Sequence, residues 1–273
     1  MNGHFALRLD GETMLLAGAE GGEPFAEIVE DAGPTPYVKK HPAPLEFEDI
    51  TLGVGLGMSD ALFDWVAAVW AADDQAKDGA LLAADYNFTI KIERQFSGAH
   101  IAGTTIPALD ATSKTATQLS VRLTPASIVL VPGSGKLQLT KLKQRLWQAS
   151  AFRLNIDGLD CTKVIRIDSF TVPGVVGGKV DFPELAVTFP VVSAATWTNW
   201  FQDFVIGGNS GDAAEKNGKI TFLLPNLKTP LASIELHGLG IVRLETIPGG
   251  PNQVARMRAG LYCEQMSLHR DQP

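Results

Sequence analysis

Cysteine is scarce: the 273 residues contain two, Cys161 and Cys263. Two thiols make neither a disulfide framework nor a zinc site. Both fall in strand-like segments, where a buried free thiol is expected. The five histidines, His4, His41, His100, His237 and His269, include no pair at metal-ligand spacing. His237, followed by Gly238, reads as a turn residue. No apolar run approaches the roughly 20 residues of a membrane span, so no membrane insertion is expected. Met1 to Gly11 alternates polar and apolar residues and lacks the basic and apolar blocks of a signal peptide. Synthesis in the cytoplasm without a signal peptide follows as an expectation.

Motifs that carry chemistry are also missing. There is no Gly-x-Ser-x-Gly elbow. Gly133-Ser134-Gly135-Lys136 imitates a phosphate loop, but Leu130 stands where the motif needs its first glycine and Leu137 where it needs Ser or Thr. Gly53-Val54-Gly55-Leu56-Gly57 has the wrong spacing for a dinucleotide fingerprint. No catalytic residue, cofactor or metal site is expected, and the chain does not read as an enzyme. Basic residues are sparse in the first third. Residues 1–93 hold 17 acids against 5 Lys or Arg, and the other 180 hold 13 acids against 18 bases. A mostly solvated face is the usual reading of such a bias, and a complementary acidic and basic face meeting between neighbouring copies is the sharper one.

What the chain does have is a repeat. Phe5-Ala-Leu-Arg-Leu-Asp-Gly11 returns as Phe152-Arg-Leu-Asn-Ile-Asp-Gly158. Ile50-Thr51-Leu52 leads to Ser59 and Leu62-Phe63-Asp64-Trp65. Val187-Thr188-Phe189 leads to Ser193 and Trp197-Thr198-Asn199-Trp200. Thr105-Ile106-Pro107 recurs as Thr246-Ile247-Pro248. The period, about 140 residues, is too long for a solenoid and matches one small domain. Two copies of one domain are therefore expected, each with its own core: 1–132, a linker over 133–150 opened by Pro132-Gly133-Ser134-Gly135, and 151–273.

Each half reads as several strands, one helix midway, then more strands. Leu62, Phe63, Val66, Val69 and Trp70 share a face at spacings of three and four, behind a Ser59 N-cap. The second helix is placed from Ser193 through Trp197, Trp200, Phe201 and Phe204. Trp65 and Trp200 are expected at equivalent buried places. Tyr86, Phe88, Ile90 and Ile92 alternate as a strand, matched in the second copy by Ile220 to Leu224. Lys77-Asp78-Gly79 reads as loop, and Asp31 to Pro44, with four prolines, as a long loop that is no central strand. Lys136 to Ser150 fits strand or helix and is basic either way through Lys136, Lys141, Lys143 and Arg145. The fold class expected is mainly β: two similar β-barrel or sandwich domains, each with one packed helix.

On these pieces the first half resembles the tail tube proteins of contractile phages and phage-like contractile injection systems. The matching residues are Phe5–Gly11, Ile50–Leu52 with Gly53, Leu62–Trp65, and Asp110-Ala-Thr-Ser113 leading into Gln118–Leu123, within 5–131. The second half keeps the strand-Ser-helix unit and the Thr-Ile-Pro step but lacks Asp-Ala-Thr-Ser, and its polar loop is short. The resemblance implies a subunit that self-assembles into rings stacked as a hollow tube, as main tube, initiator or hub-like adaptor. Its partners would be itself, adjacent rings, and sheath or baseplate proteins, with cargo or DNA in the lumen. It would be incorporated into a phage tail or injection-system particle. Family members usually carry one domain and form six-membered rings. Two linked domains make a trimer with pseudo-sixfold symmetry the simplest closure, with a hexamer as the rival. Assembly contacts are expected from Pro34, Tyr37, Lys39, Lys40 and Pro42 in the long loop, which in the resembling family reaches the adjacent ring. Lys141, Lys143 and Arg145 are the other candidates. The class that competes is a tandem β-barrel protein holding a small ligand in a barrel mouth.

Overall fold

The computed structural model describes residues 3–31, 33, 36–140, 147–248 and 254–271. The protein is mainly β, with 53% strand and 11% helix. In the first half the strands are β1 (His4–Leu9), β2 (Glu12–Leu16), β3 (Gly18–Gly21), β4 (Pro24–Phe25), β5 (Ile28–Asp31), β6 (Lys39–Pro42), β7 (Glu46–Phe47) and β8 (Ile50–Val54). Helix α1 (Asp60–Trp70) follows, then β9 (Lys77–Ala84), β10 (Ile90–Ile106), β11 (Leu109–Asp110), β12 (Leu119–Thr124) and β13 (Ser127–Pro132). The second half has β14 (Phe152–Ile156), β15 (Arg166–Ile167), β16 (Phe170–Pro173) and β17 (Leu185–Pro190), then helix α2 (Ala195–Phe201). It ends with β18 (Lys216–Leu223), β19 (Pro230–Ile247) and β20 (Arg256–Arg270).

The strand neighbours follow one rule twice. In the first half the path is β1-β9-β10-β12-β8, all antiparallel; in the second it is β14-β18-β19-β20-β17, also antiparallel. The helix leaves the fifth strand of the path and returns to the second in both cases. The first sheet bends round on itself: β2 pairs with β1, and after a bend at Ala17 β3 pairs with β8.

The long strands also bend alike. The β9–β10 register slips between Phe96 and Ala99, and the β18–β19 register slips between Leu236 and Leu239. Gly98 and Gly238 sit in these bulges at φ 58° and 63°, a region that only glycine enters without strain. His237 therefore lies inside β19, not at a turn that ends a strand. A second slip falls between Ile101 and Gly103, and between Ile241 and Arg243.

Other expectations need correction. Tyr86 and Phe88 are not in a strand. The Asp85 carboxylate accepts hydrogen bonds from the Asn87 and Thr89 N–H groups at 2.9 and 3.0 Å, and this local turn overrides the alternation. The strand that corresponds to β18 in the pairing path is β9. It includes Lys77, Asp78 and Gly79, which composition suggested were loop. Helix α2 begins at Ala195; Ser193 is buried in a preceding turn and makes no capping hydrogen bond. Ser59 does cap α1, accepting from the Leu62 N–H at 3.4 Å. The proline-rich stretch forms a separate hairpin, β5 with β6, with Pro42 opposite Ile28. Cys161 is itself buried but opens an exposed turn after β14, outside any strand, and Cys263 is buried in β20. The halves do not keep separate cores: one cluster of buried side chains runs from Leu7 to Leu268. Within 133–140, Leu137 packs with Ala6, Ala80, Leu82 and Ala84 on the opposite face of the first sheet.

Candidate assembly interface

The halves join edge to edge. Along one side of β10, β9 pairs as far as Ala99, and β16 from the second half then pairs with Gly103–Ile106. Phe170 and Val172 of β16 are buried, and burying two such side chains contributes roughly 1.5–3 kcal/mol each. The Thr105 and Thr171 hydroxyls meet across the seam at 2.8 Å. β11 crosses in the other direction and pairs with β15.

Asp110, the first residue of the Asp-Ala-Thr-Ser motif, sits at this crossing. Its carboxylate accepts from the Thr112 hydroxyl at 2.6 Å and N–H at 2.8 Å, which holds it below the usual carboxylate range, with help from Arg166. Arg166 Nη1 lies 3.5 Å from Asp110, and Arg166 Nε donates to Asp168 at 2.6 Å. Asp168 also accepts from Arg258 at 2.6 Å. The four groups alternate as Asp110, Arg166, Asp168 and Arg258, and the Asp110–Arg166 contact is the one that ties the chain across the seam.

Helix α1 forms the other part of the junction, lying against β20. Arg270 donates to the Met58 and Ser59 carbonyls at 3.1 and 3.3 Å and lies 4.3 Å over the Phe63 ring. α1 accordingly buries two stripes, Leu62-Trp65-Val69 and Phe63-Val66-Trp70. α2 packs on β19 and, with the turn after it, buries only Trp197, Trp200 and Phe204. Phe201 is half-buried. Lys77 Nζ stands 5.9 Å over Trp65, and Lys216 Nζ stands 5.5 Å over Trp200. These lysines open β9 and β18. The Trp65 N–H donates to the Gln75 carbonyl at 3.0 Å, while in α2 it is Trp197 that donates, to Asp160 at 3.1 Å.

β19 has no counterpart to β16. β18 stops pairing at Leu239, and from Gly240 to Ile247 that edge has no strand partner among the described residues. Of the loop candidates, Tyr37, Lys39, Lys40 and Pro42 are exposed on or beside the β5–β6 hairpin, where Lys40 pairs with Glu30 at 2.8 Å. Pro34, Lys141, Lys143 and Arg145 lie outside the described residues. Sequence reasoning missed β16, β15 and β11. Two- to four-residue edge strands carry almost no periodicity, and their partners lie in the other half. Among the described residues, no group of three His, Cys, Asp or Glu side chains is placed to hold a metal ion. Among the described residues, no helix is long and apolar enough to cross a membrane.

No family model matches the sequence, and comparison with curated proteins gives no match. Several solved structures are similar to about half of the chain. One is a chain of the PVC sheath-tube complex, in the extended state, of an extracellular contractile injection system. It is 21% identical with a TM-score of 0.41, over 47% of this chain and 88% of that one. A chain of the anti-feeding prophage cap, a tube terminating cap, is 21% identical with a TM-score of 0.41, over 47% and 87%. A chain of the anti-feeding prophage baseplate is 11% identical with a TM-score of 0.40, over 48% and 93%.

Proposed function

We propose that this chain is a structural subunit of the inner tube, or a tube initiator or hub-like adaptor, of a contractile phage tail or contractile injection system. It consists of two copies of one domain, 1–132 and 151–273, joined through 133–150. The repeated strand path, the paired glycine bulges and the two Lys–Trp contacts support the duplication. The Phe5–Gly11, Leu62–Trp65 and Asp110–Ser113 resemblance supports the family.

One observation carries the assembly reading. The halves join head to tail, with unlike surfaces, and the trailing half ends in an edge of β19 that has no strand partner among the described residues. A heterologous contact of this kind closes into a ring when the rotation per domain divides a full turn. Six domains, supplied by three chains, are the proposed circle. The exposed β5–β6 hairpin, with Tyr37, Lys39, Lys40 and Pro42, is assigned to contact with the adjacent ring; sheath or baseplate proteins are further partners. The lumen would carry cargo or DNA.

Imaging of the purified full chain by electron microscopy tests the reading. Rings, or short hollow tubes at higher concentration, are expected. Particles that stay single subunits at every concentration overturn it.

A further inference from the structure

The two halves present the same sheet face, covered in the second and partly exposed in the first. In the second half, Phe152, Phe222, Ala232 and Arg270 form one cross-strand row. Leu154, Ile220, Ile234 and Leu268 form the next. The start of α1 sits on Arg270, and Trp147 stands edge-on to Phe222 at 5.0 Å. Phe222, Ala232, Ile234 and Leu268 are buried.

Strand for strand, the first half has Phe5, Ala83, Ile92 and Pro132, then Leu7, Leu81, Arg94 and Leu130. Here Phe5 and Ile92 are each 44% exposed and Leu130 is 66% exposed. Phe5, Leu81, Ile92 and Arg94 line a pocket of about 330 Å³, rimmed by Glu20 and Glu23. Leu7 and Leu81 are buried and Arg94 is tied to Gly21 and Glu23, but among the described residues no helix lies over Phe5, Ile92 and Leu130 as α1 lies at the Arg270 end of the second-half face.

The missing cover has a matching surface elsewhere on the chain. With Leu62-Phe63-Asp64-Trp65 set against Trp197-Thr198-Asn199-Trp200, the stripe Phe63-Val66-Trp70 of α1 corresponds to Thr198-Phe201-Val205. The first stripe is buried. In the second, Thr198 and Phe201 are half-buried and Val205 is 40% exposed. The free edge of β19 lies in the same half as this second stripe. In the first half the strand placed like β16 is β4: two residues separate β15 from β16, and two separate β3 from β4, which pairs along one edge with β7. β3 pairs with β8 as β15 pairs with β17. Edge addition of such a strand is a common mode of association.

We infer that the junction within the chain is repeated between chains, with a second copy as the occupant. The Thr198-Phe201-Val205 stripe of one copy covers the Phe5-Ile92-Leu130 face of the next, and β4 of that next copy extends the free edge of β19. Each copy offers one of each surface, so the contact is directional. The acidic first third then meets the more basic remainder of a neighbour. This rests on reading the chain as a self-assembling subunit.

Two exposed positions allow a test that leaves folding intact. Val205→Asp spoils the helix side only, and Ile92→Asp the sheet side only. Each full-length variant should stay monomeric by sedimentation at concentrations where the parent assembles, with unchanged circular dichroism. Mixed, the two variants retain one good surface each and should form a dimer of one copy of each, and nothing larger. Unimpaired assembly of either variant, a mixture that stays monomeric, or a parent that never assembles overturns the inference. If the parent forms variant-sensitive head-to-tail oligomers but no rings or tubes, the tube reading fails and this contact stands. If the variants build normal tubes, the contact fails and the tube reading stands.

Discussion

Thr105 and Thr171 share a hydrogen bond between their hydroxyls at 2.8 Å, across the line where β16 of the second half joins the sheet of the first. A few residues away the chain passes closest to its partner strand. The Gly174 N–H donates to the Ala102 carbonyl at 3.0 Å, and a Cβ on Gly174 would come within 2.2 Å of the Ile101 carbonyl oxygen. Gly174→Ala should therefore push β16 off β10 and destabilise by about 1–3 kcal/mol. Denaturant titration measures this; no change in midpoint would mean that the seam contributes little.

The tryptophans under Lys77 and Lys216 should matter equally. Trp65 and Trp200 are both buried. Truncating either to Ala leaves a large cavity, and a loss of roughly 3–5 kcal/mol is expected for each. A loss below about 1 kcal/mol at either position would speak against its place in the shared core.

Much of this was legible in the sequence, and what was not has a local cause. The α1 stripe and the β1 and β14 strands follow from periodicity and turn chemistry, and they fall where the pattern puts them. The Asp85 turn defeated the alternation of Tyr86 to Ile92 because two backbone donors bind one carboxylate. His237-Gly238 imitates a turn, while in the sheet it is a bulge inside β19. The Val187-Thr188-Phe189 landmark is also shifted. Leu52 faces Val121, and Val187 faces Ala259, the residue at Val121's position, so Val187 stands where Leu52 does. The junction was the least legible part, because no single-chain pattern records which edge a four-residue strand will join.

Stability should fall on the alkaline side. Burial pushes the thiols of Cys161 and Cys263 up, each to about 11. Burial also raises the Tyr262 phenol, with the Glu215 carboxylate accepting its hydrogen bond at 2.5 Å. Groups held protonated in the fold contribute fully below their unfolded pKa, about 8.5 for a thiol, and lose that contribution as pH rises through the folded value. Tm is expected to be level near pH 8 and to drop between about pH 9 and 11. At pH 8 both thiols should resist a thiol reagent until denaturant is added. Rapid labelling of the folded protein would contradict their burial.

Among the described residues, the strands of the β5–β6 hairpin pair only with each other. Deleting residues 34–42 should change subunit stability by less than about 1 kcal/mol, since the residues removed on β6 are exposed. Rings should still form but fail to stack. Tubes of normal length from that variant, measured by electron microscopy, would remove the hairpin from the axial contact.

The ring itself is tested most directly by its mass and symmetry. Native mass spectrometry of assembled rings, with symmetry read from particle images, should give three chains per layer and a pseudo-sixfold outline. Six chains in one layer, or a ring whose domains do not alternate, would contradict the account.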